Sequence, residues 1–407
     1  MGDPLIVSTP GRADFLNTHQ DYKGLPVVPV AINLRMRLYG EPRGDRIIAV
    51  KSRDLESLGE PYMDEFKVAV NEMLPGKFFG NYLRGVVNVL IKRGLAEELR
   101  GANVIIESDI PVGSGLSSSA ALEVGFTELL NRMNSLDLDI KDVAEISFYA
   151  ENQEVGIPCG RLDQYGVAFG GIIKLECRPP YNVESLPFRD LVFTIVDSGV
   201  RHSTAEIHPK RQAEIDQGLR SLMANPRVPE ILKSRLGHRF FEPKWEEIRE
   251  EEIKDYLTDL DEVPKRRILF TLRMQKSTDL ALKVLRSEII TKDVVVANLG
   301  KEAWEKIRRV RPEEMSYHVL GEVMNYQQSL LRDLYDVSIP KIDDICSAAI
   351  EAGAYGAKIS GAGMGGSIIA LVKDEKVGKK VIFECVSAGA KQGWISRAGD
   401  GVKVEAG

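Results

Sequence analysis

Glycines and small hydroxyl side chains crowd into PVGSGLSSSAAL, residues 111–122, between the strand-like ANVIIESDI and the helix-like EVGFTELL. A helix N-terminus leaves backbone N–H groups free and carries a partial positive charge. Gly113 and Gly115 would let an anion approach closely, with Ser117, Ser118 and Ser119 as further donors. A polyphosphate would fit such a cradle, and a serine hydroxyl there could ligate magnesium. No Lys follows the glycines, which sets the stretch apart from a Walker loop. The same residues would also make a plain Gly/Ser turn that caps the helix through a serine.

Two further groups bear on that choice. Glu151 stands near the end of an expected helix and Asp163 follows it in CGRLDQ, so a turn could bring both carboxylates into one cleft. One carboxylate can then hold magnesium while the other orients or deprotonates a hydroxyl. Taken singly, Glu151 reads as a solvated helix residue and Asp163 as a turn former. In PGRADFLNTHQDYKG, Arg12, Asp14, Thr18, His19 and Asp21 offer hydrogen bonds suited to a polyol, although Asp, Asn and Gly are ordinary in turns.

For these groups to meet, particular elements must carry them. Residues 4–40 read as the strand-like runs LIV, LPVVPVAI and LRMRLYG around an irregular polar insertion, ADFLNTHQDYKG, expected to be a loop. Residues 60–98 suggest two helices, the second being NYLRGVVNVLIKRG, where Leu83, Val86, Val87 and Leu90 recur at helical spacing. Residues 140–154 read as a helix with Val143, Ile146 and Ala150 on one face, ending in the glycine-punctuated loop GIPCGRLDQYGVAFGG. From about residue 190 a second unit is expected, with the strand LVFTIVDS and then solvated charged helices such as WEEIREEEIKDYL. GAYGAKISGAGMGGSIIALV places a glycine-rich turn between two short strands. Gly361, Gly363 and Gly366 imitate a dinucleotide fingerprint, but that motif needs a helix next and SIIALV is strand-like.

A chain of 407 residues suggests two domains. Its net charge of -6 gives no global attraction for nucleic acid or anionic lipid, so an anionic ligand needs a local site. No stretch approaches the ~18 apolar residues of a membrane span, and MGDPLIVSTPGR lacks a basic leader, so no membrane partner and a cytoplasmic location are expected. Cys159, Cys177, Cys346 and Cys385 form no CxxC pair and read as buried or incidental thiols. His202 and His318 read as structural, and His238 as a surface residue.

The order PGR…HxDY, PxGxGLSSSA, AExxxxGxPCGxxDQ and GAKxSGAGxGG resembles that of the GHMP small-molecule kinases, and most closely their galactokinase branch. FFGNYLRGV, VDSGVRHSTA and SLLRDLYDVSIPKID are similar to further stretches of that branch. The likeness runs from about residue 8 to 373 and is weakest across 215–315. It implies an α+β, two-domain GHMP-kinase fold. Residues 1–190 would be the ribosomal protein S5 domain 2-like N-terminal domain, and 191–407 the ferredoxin-like C-terminal domain.

The resemblance also implies roles. Gly113, Ser114, Gly115, Leu116, Ser117, Ser118, Ser119 and Ala120 would cradle the phosphates of ATP, with Ser119 and Glu151 at Mg²⁺, and the turn from Ser360 to Gly366 would close the nucleotide site. Asp163 would be the catalytic carboxylate, with Arg12 beside it favouring the ionised form, and the phosphoryl group would pass to an anomeric hydroxyl. His19, Asp21 and the backbone near Gly160 would contact other sugar hydroxyls. Partners would be a small sugar and ATP, with no nucleic acid.

The sugar loop departs from the branch. Its pattern GRVNLIGEHTDY is GRADFLNTHQDY here, so Thr18 replaces a sugar-contacting glutamate, Asn17 a glycine and Asp14 an asparagine. A sugar-contacting tyrosine falls at or near His208. Replacing a charged acceptor that is worth ~1.5–3 kcal/mol weakens galactose binding. The expected substrate is thus galactose or an N-acetylated, pentose or uronic relative. Two other readings compete: a non-catalytic sugar sensor on the same fold, against which Arg12, Glu151, Asp163 and the serine loop all stand, and a kinase for a non-sugar alcohol, against which HQDY and LRDLYDVS stand.

Overall fold

Burial alternates along β3 (Ile47–Ser52), where Ile48 and Val50 are covered while Ala49 and Lys51 reach the surface. That period of two marks a sheet with one packed face. The computed structural model describes residues 4–95, 97–188, 190–201 and 204–406, and their mixture of sheets and helices is the expected α+β class.

The first compact unit contains residues 1–13, 29–173 and 398–407. Its six-stranded sheet runs in the order β12 (Lys403–Ala406), β1 (Leu5–Leu16), β2 (Val28–Pro42), β5 (Ala102–Ser108), β3 and β4 (Met63–Lys67). β3 and β5 are parallel, with Val50 opposite Val104. The unit's helices are α1 (Arg53–Leu58), α2 (Gly80–Lys92), α3 (Ser118–Asn134), α4 (Ile140–Tyr149) and α5 (Leu162–Phe169). Leu38, Ile48 and Val104 from the sheet and Leu83, Phe126 and Leu129 from the helices are buried, each stabilising by about 1.5–3 kcal/mol.

The second compact unit contains residues 14–28 and 174–397, so the units interleave along the chain where the sequence suggested a boundary near residue 190. It holds the two-stranded sheet of β6 (Ile173–Leu175) and β7 (Val183–Ser185), and an antiparallel sheet ordered β11 (Gln392–Arg397), β8 (Val192–Asp197), β10 (Ser367–Val372) and β9 (Gly356–Ser360). Its helices are α6 (Thr204–Ala224), α7 (Glu230–Lys233), α8 (Glu250–Leu257), α9 (Glu262–Leu285), α10 (Lys292–Leu299), α11 (Lys301–Ile307), α12 (Met315–Asp333), α13 (Pro340–Glu351) and α14 (Glu375–Ser387). Val196, Ile345, Ile359 and Ile368 share one core, while Leu219, Trp245, Ile253 and Ile268 form another within the helices. No described helix is long and apolar enough to cross a membrane.

Three local expectations are corrected. Residues 60–98 hold one described helix, α2; before it, Met63–Lys67 pairs antiparallel with β3 because Phe66 is buried by doing so. The polar insertion starts inside β1, whose Ala13, Phe15 and Leu16 are fully buried and need the sheet to satisfy their backbone. The stretch read as the loop GIPCGRLDQYGVAFGG becomes α5 from Leu162, since Leu162, Tyr165 and Ala168 face the interior at helical spacing.

Cys346 and Cys385 are buried and Cys159 and Cys177 half-buried, and none of the four takes part in a disulfide among the described residues. His318 packs edge-on against Tyr355, with ring centroids 4.7 Å apart, and His238 is exposed. His202 lies outside the described residues.

Candidate active site

β5 delivers the chain to the loop at 111–117, and α3 starts at Ser118. Gly113 (φ 70°) and Gly115 (φ 77°) adopt left-handed backbone that L side chains resist, and both are exposed. Ser117 shares that conformation at φ 60°; its Oγ is buried and has no partner, and it makes no cap bond to α3. The capping alternative is therefore not what the loop does. Ser114 spends its hydroxyl within the loop on the Pro111 carbonyl, 2.8 Å away, and Leu116 is buried. The exposed face of the loop offers the two glycines, while Ser118 and Ser119 stand half-buried on the first turn of α3 and Ala120 is buried.

Arg12 ties this loop to a carboxylate. Its Nη1 donates to the Gly115 carbonyl at 2.7 Å and its backbone N–H to Leu116 at 3.2 Å. Its Nε and Nη2 lie 2.7 and 2.6 Å from Asp163 Oδ1. Asp163, on the first turn of α5, keeps 27% of its side chain exposed, and Oδ2 takes no hydrogen bond from a described residue. One oxygen is thus fixed and the other is open to a reacting hydroxyl. Gly160 is half-buried three residues earlier.

Glu151 sits on a π-helical turn, Ala150–Val155, that continues α4. It accepts from Ser119 and the Cys159 thiol, and from Gln164 Nε2 at 2.6 Å. Burial, and then the nearby Asp163 charge, raise its carboxyl above the usual range. Gln164 also donates to Glu123 at 3.1 Å, and Glu123 is fully buried with its carboxyl well raised, by burial and then by Glu151. Such a surplus of carboxylates suits a divalent cation. Ser119 and Glu151 are hard oxygen donors that fit magnesium. Among the described residues no group of three acidic, His or Cys side chains could hold an ion, so phosphate oxygens and water would complete the shell. Glu123 escapes sequence reasoning because AALEVGF reads as ordinary helix.

A cleft of about 860 Å³ adjoins the loop, with Gly113, Ser118 and Ser119 on one side and Leu55, Phe79 and Tyr82 on another. Leu58 and Val112 on its rim are 63% and 54% exposed, apolar surface that a flat ligand could cover. These walls come from segments far apart in sequence, and no motif signals them.

Within the second unit, the residues expected to read a sugar gather around the glycine-rich turn. Asp14 N–H donates to Ser360 Oγ at 2.8 Å, and Gly361 N–H to Asp14 Oδ2 at 3.1 Å. Lys358, fully buried, donates to Thr18 Oγ1 at 2.8 Å and to the carbonyls of Asp14 and Ile359. Burial, and then the nearby charge of His208, hold His19 well below its ordinary value, so the neutral ring donates from Nε2 to the Ala362 carbonyl at 3.0 Å. The His208 ring lies 5.2 Å from that of His19, and Asp21 is half-buried beside them in the chain. His19 therefore positions the turn, whereas Asp21 and His208 keep surface for a ligand.

The GHMP kinases N terminal domain matches residues 81–171, the GHMP kinases C terminal domain 313–391, and the galactokinase galactose-binding signature 1–42. The chain is 30% identical to the galactokinase of Roseiflexus sp. (strain RS-1) over 92% of this chain and 84% of that protein. With the galactokinase of Pyrococcus furiosus it shares 28% over 98% and 99%. The crystal structure of Lactococcus lactis galactokinase complexed with galactose superimposes with TM-score 0.76 at 26% identity, covering 98% and 94% of the two chains. The mevalonate kinase of Methanococcus jannaschii, at 19% identity and TM-score 0.66, shares the fold.

Proposed function

Because the chain belongs to the GHMP kinase family, on its galactokinase-like side, we propose that it transfers the γ-phosphoryl group of Mg-ATP to the anomeric hydroxyl of a galactose-related sugar. It is a phosphotransferase with an alcohol group as acceptor. The observation that carries the finer reading is the Arg12–Asp163 pair, with Oδ1 clamped and Oδ2 open.

In this reading Asp163 Oδ2 orients the sugar hydroxyl and accepts its proton as the new O–P bond forms and the bond from the γ-phosphorus to the bridging oxygen breaks, releasing ADP. Arg12 fixes the carboxylate and, through Gly115, the loop whose N–H groups hold the phosphates. Ser119 and Glu151 hold Mg²⁺, which when bound offsets charge on the phosphate oxygens. Asp21, His208, Thr18 and the backbone near Gly160 read the remaining hydroxyls, and His19 supports them. A cytoplasmic location belongs to the same proposal, since Mg-ATP is abundant there.

The preferred sugar differs from plain galactose in this proposal, because Thr18 holds a lysine-bonded hydroxyl where the galactokinase pattern carries a glutamate. N-acetylated, pentose and uronic relatives are the candidates. An ADP-release screen over hexoses, amino sugars, pentoses and uronic acids with Mg-ATP tests this. Galactose with the highest kcat/KM would remove the substrate proposal; sugar and ATP binding without ADP release would favour a sensor.

A further inference from the structure

β1 ends at Leu16, and the chain leaves it through a turn in which two residues other than glycine, Asn17 (φ 63°) and His19 (φ 67°), take left-handed backbone on either side of Thr18. L side chains resist that conformation, and it persists where the surroundings hold it. Asn17 is fully buried and stands where the galactokinase pattern has glycine, so its amide needs partners inside the protein. Nδ2 donates to the Pro26 carbonyl at 2.5 Å and to Gln275 Oε1 at 2.8 Å, and the Asn17 backbone N–H donates to Gln327 Oε1 at 3.2 Å. The Pro26 carbonyl can only accept, so the amide nitrogen has to face it, and this fixes the Asn17 side chain.

Gln275 lies on α9, in the stretch where the likeness to the GHMP kinases is weakest, and no motif marks it. Thr271, Gln275 and Thr278 are buried polar side chains three or four positions apart, so one face of α9 carries them. Each is tied to residues 17–23. Thr271 Oγ1 accepts from Lys23 Nζ at 3.0 Å and Gln275 Oε1 from Asn17, while Thr278 Oγ1 accepts from the Gln327 amide, at 2.9 Å, whose oxygen takes the Asn17 N–H. On its far side Gln275 Nε2 donates to Asp279 Oδ1, 2.8 Å away, which turns Oε1 toward Asn17. Buried polar groups cost stability unless they are hydrogen-bonded, so this row gains nothing over leucine as packing. What it does is hold the turn.

We propose that Gln275 is a positioning residue for the sugar: through Asn17 it keeps residues 17–19 in the shape that presents Thr18. This rests on the reading that residues 18–21 face the sugar. Without the bond the turn samples other shapes, and only the competent fraction binds. KM for the sugar then rises, while kcat at saturating sugar does not fall.

The test combines ADP-release kinetics, on the sugar with the highest kcat/KM among hexoses, amino sugars, pentoses and uronic acids, with amide hydrogen exchange of the intact chain. Gln275→Leu is expected to raise KM for the sugar about tenfold, with kcat and KM for ATP within about threefold of wild type. Exchange should quicken over residues 17–23 and not elsewhere. Gln275→Glu keeps an acceptor for Asn17 and can share a proton with Asp279, so it should bring KM back to within about threefold of wild type. Asn17→Gly should raise KM by itself and absorb the effect of Gln275→Leu in the double variant; it carries the test where the leucine variant does not fold.

An unchanged sugar KM in folded Gln275→Leu overturns the proposal. So does an equal rise in KM for sugar and ATP, a fall in kcat with KM unchanged, or effects of the two substitutions that simply add. Faster exchange over residues 17–23 without ADP release on any sugar keeps the hold of Gln275 on the turn and removes the kinase reading. Unchanged exchange without ADP release removes both.

Discussion

Thr18 Oγ1 accepts a hydrogen bond from Lys358 Nζ over 2.8 Å, and both side chains are buried. All three protons of the ammonium go to neutral oxygens. A glutamate at 18 would set a carboxylate where the lysine already points and restore the acceptor of the galactokinase pattern. Thr18→Glu should therefore raise kcat/KM for galactose about tenfold or more relative to the best sugar of the panel. Steady-state kinetics on both sugars give the ratio, and an unchanged ratio would take position 18 out of sugar recognition.

The same lysine makes stability depend on pH. Burial lowers its ammonium from the ordinary 10.5 to about 8. Between those values the unfolded chain keeps a proton that the folded chain has released, so this group's contribution to stability rises with pH, by about 3 kcal/mol in all. Urea unfolding of the wild type and of Lys358→Met from pH 7 to 10.5 reads the effect as a difference, which removes titrations common to both. The wild type should gain on the variant as pH rises through that window; parallel curves would contradict the burial argument.

Asp163→Asn should lower kcat by about 10² to 10⁴ while leaving ADP affinity close to wild type, since the loss falls on the proton-accepting oxygen. Arg12→Gln should lower kcat and also weaken nucleotide binding, because Arg12 holds both Asp163 and the Gly115 carbonyl. ADP release and calorimetry together separate the two patterns.

Chelation by EDTA should abolish turnover, and added Mg²⁺ should restore it. Glu151→Gln raises the Mg²⁺ concentration needed for half-maximal rate. Gln164→Ala, which removes the amide held 2.6 Å from Glu151, should weaken metal use by about ten- to hundredfold. A Mg²⁺ titration of the rate that is the same in all three proteins would move the metal elsewhere.

Stability should turn on the contact of α12 with β9. A Cβ on Gly321 would fall 2.3 Å from the Tyr355 carbonyl oxygen, and one on Gly356 2.2 Å from that of Gly321. Neither neighbour is a side chain that can swing aside. Alanine at either position should cost about 3 kcal/mol, read as a lowered melting temperature in calorimetry.

What the sequence makes legible is local. Taken singly, Glu151 and Asp163 are ordinary; they and Arg12 stand out only through the order of motifs that resembles the GHMP kinases, and the structure brings all three together. Asp163 nevertheless stands on a helix, since burial of Leu162, Tyr165 and Ala168 outweighs the turn signal of the flanking glycines. MDEFK is short and mostly charged, so only its pairing partner reveals a strand. Glu123 stays hidden because its meaning comes from Gln164, 41 positions away in the chain.

The hydrogen bonds joining residues 14–19 to residues 358–362 have a consequence for how this protein can be altered. Asp14 is shared with Ser360 and Gly361, Thr18 with Lys358, and His19 with Ala362. A single exchange on one side leaves a buried partner unsatisfied on the other. The two segments should covary among close relatives, and a graft meant to change substrate choice should carry them as one cassette.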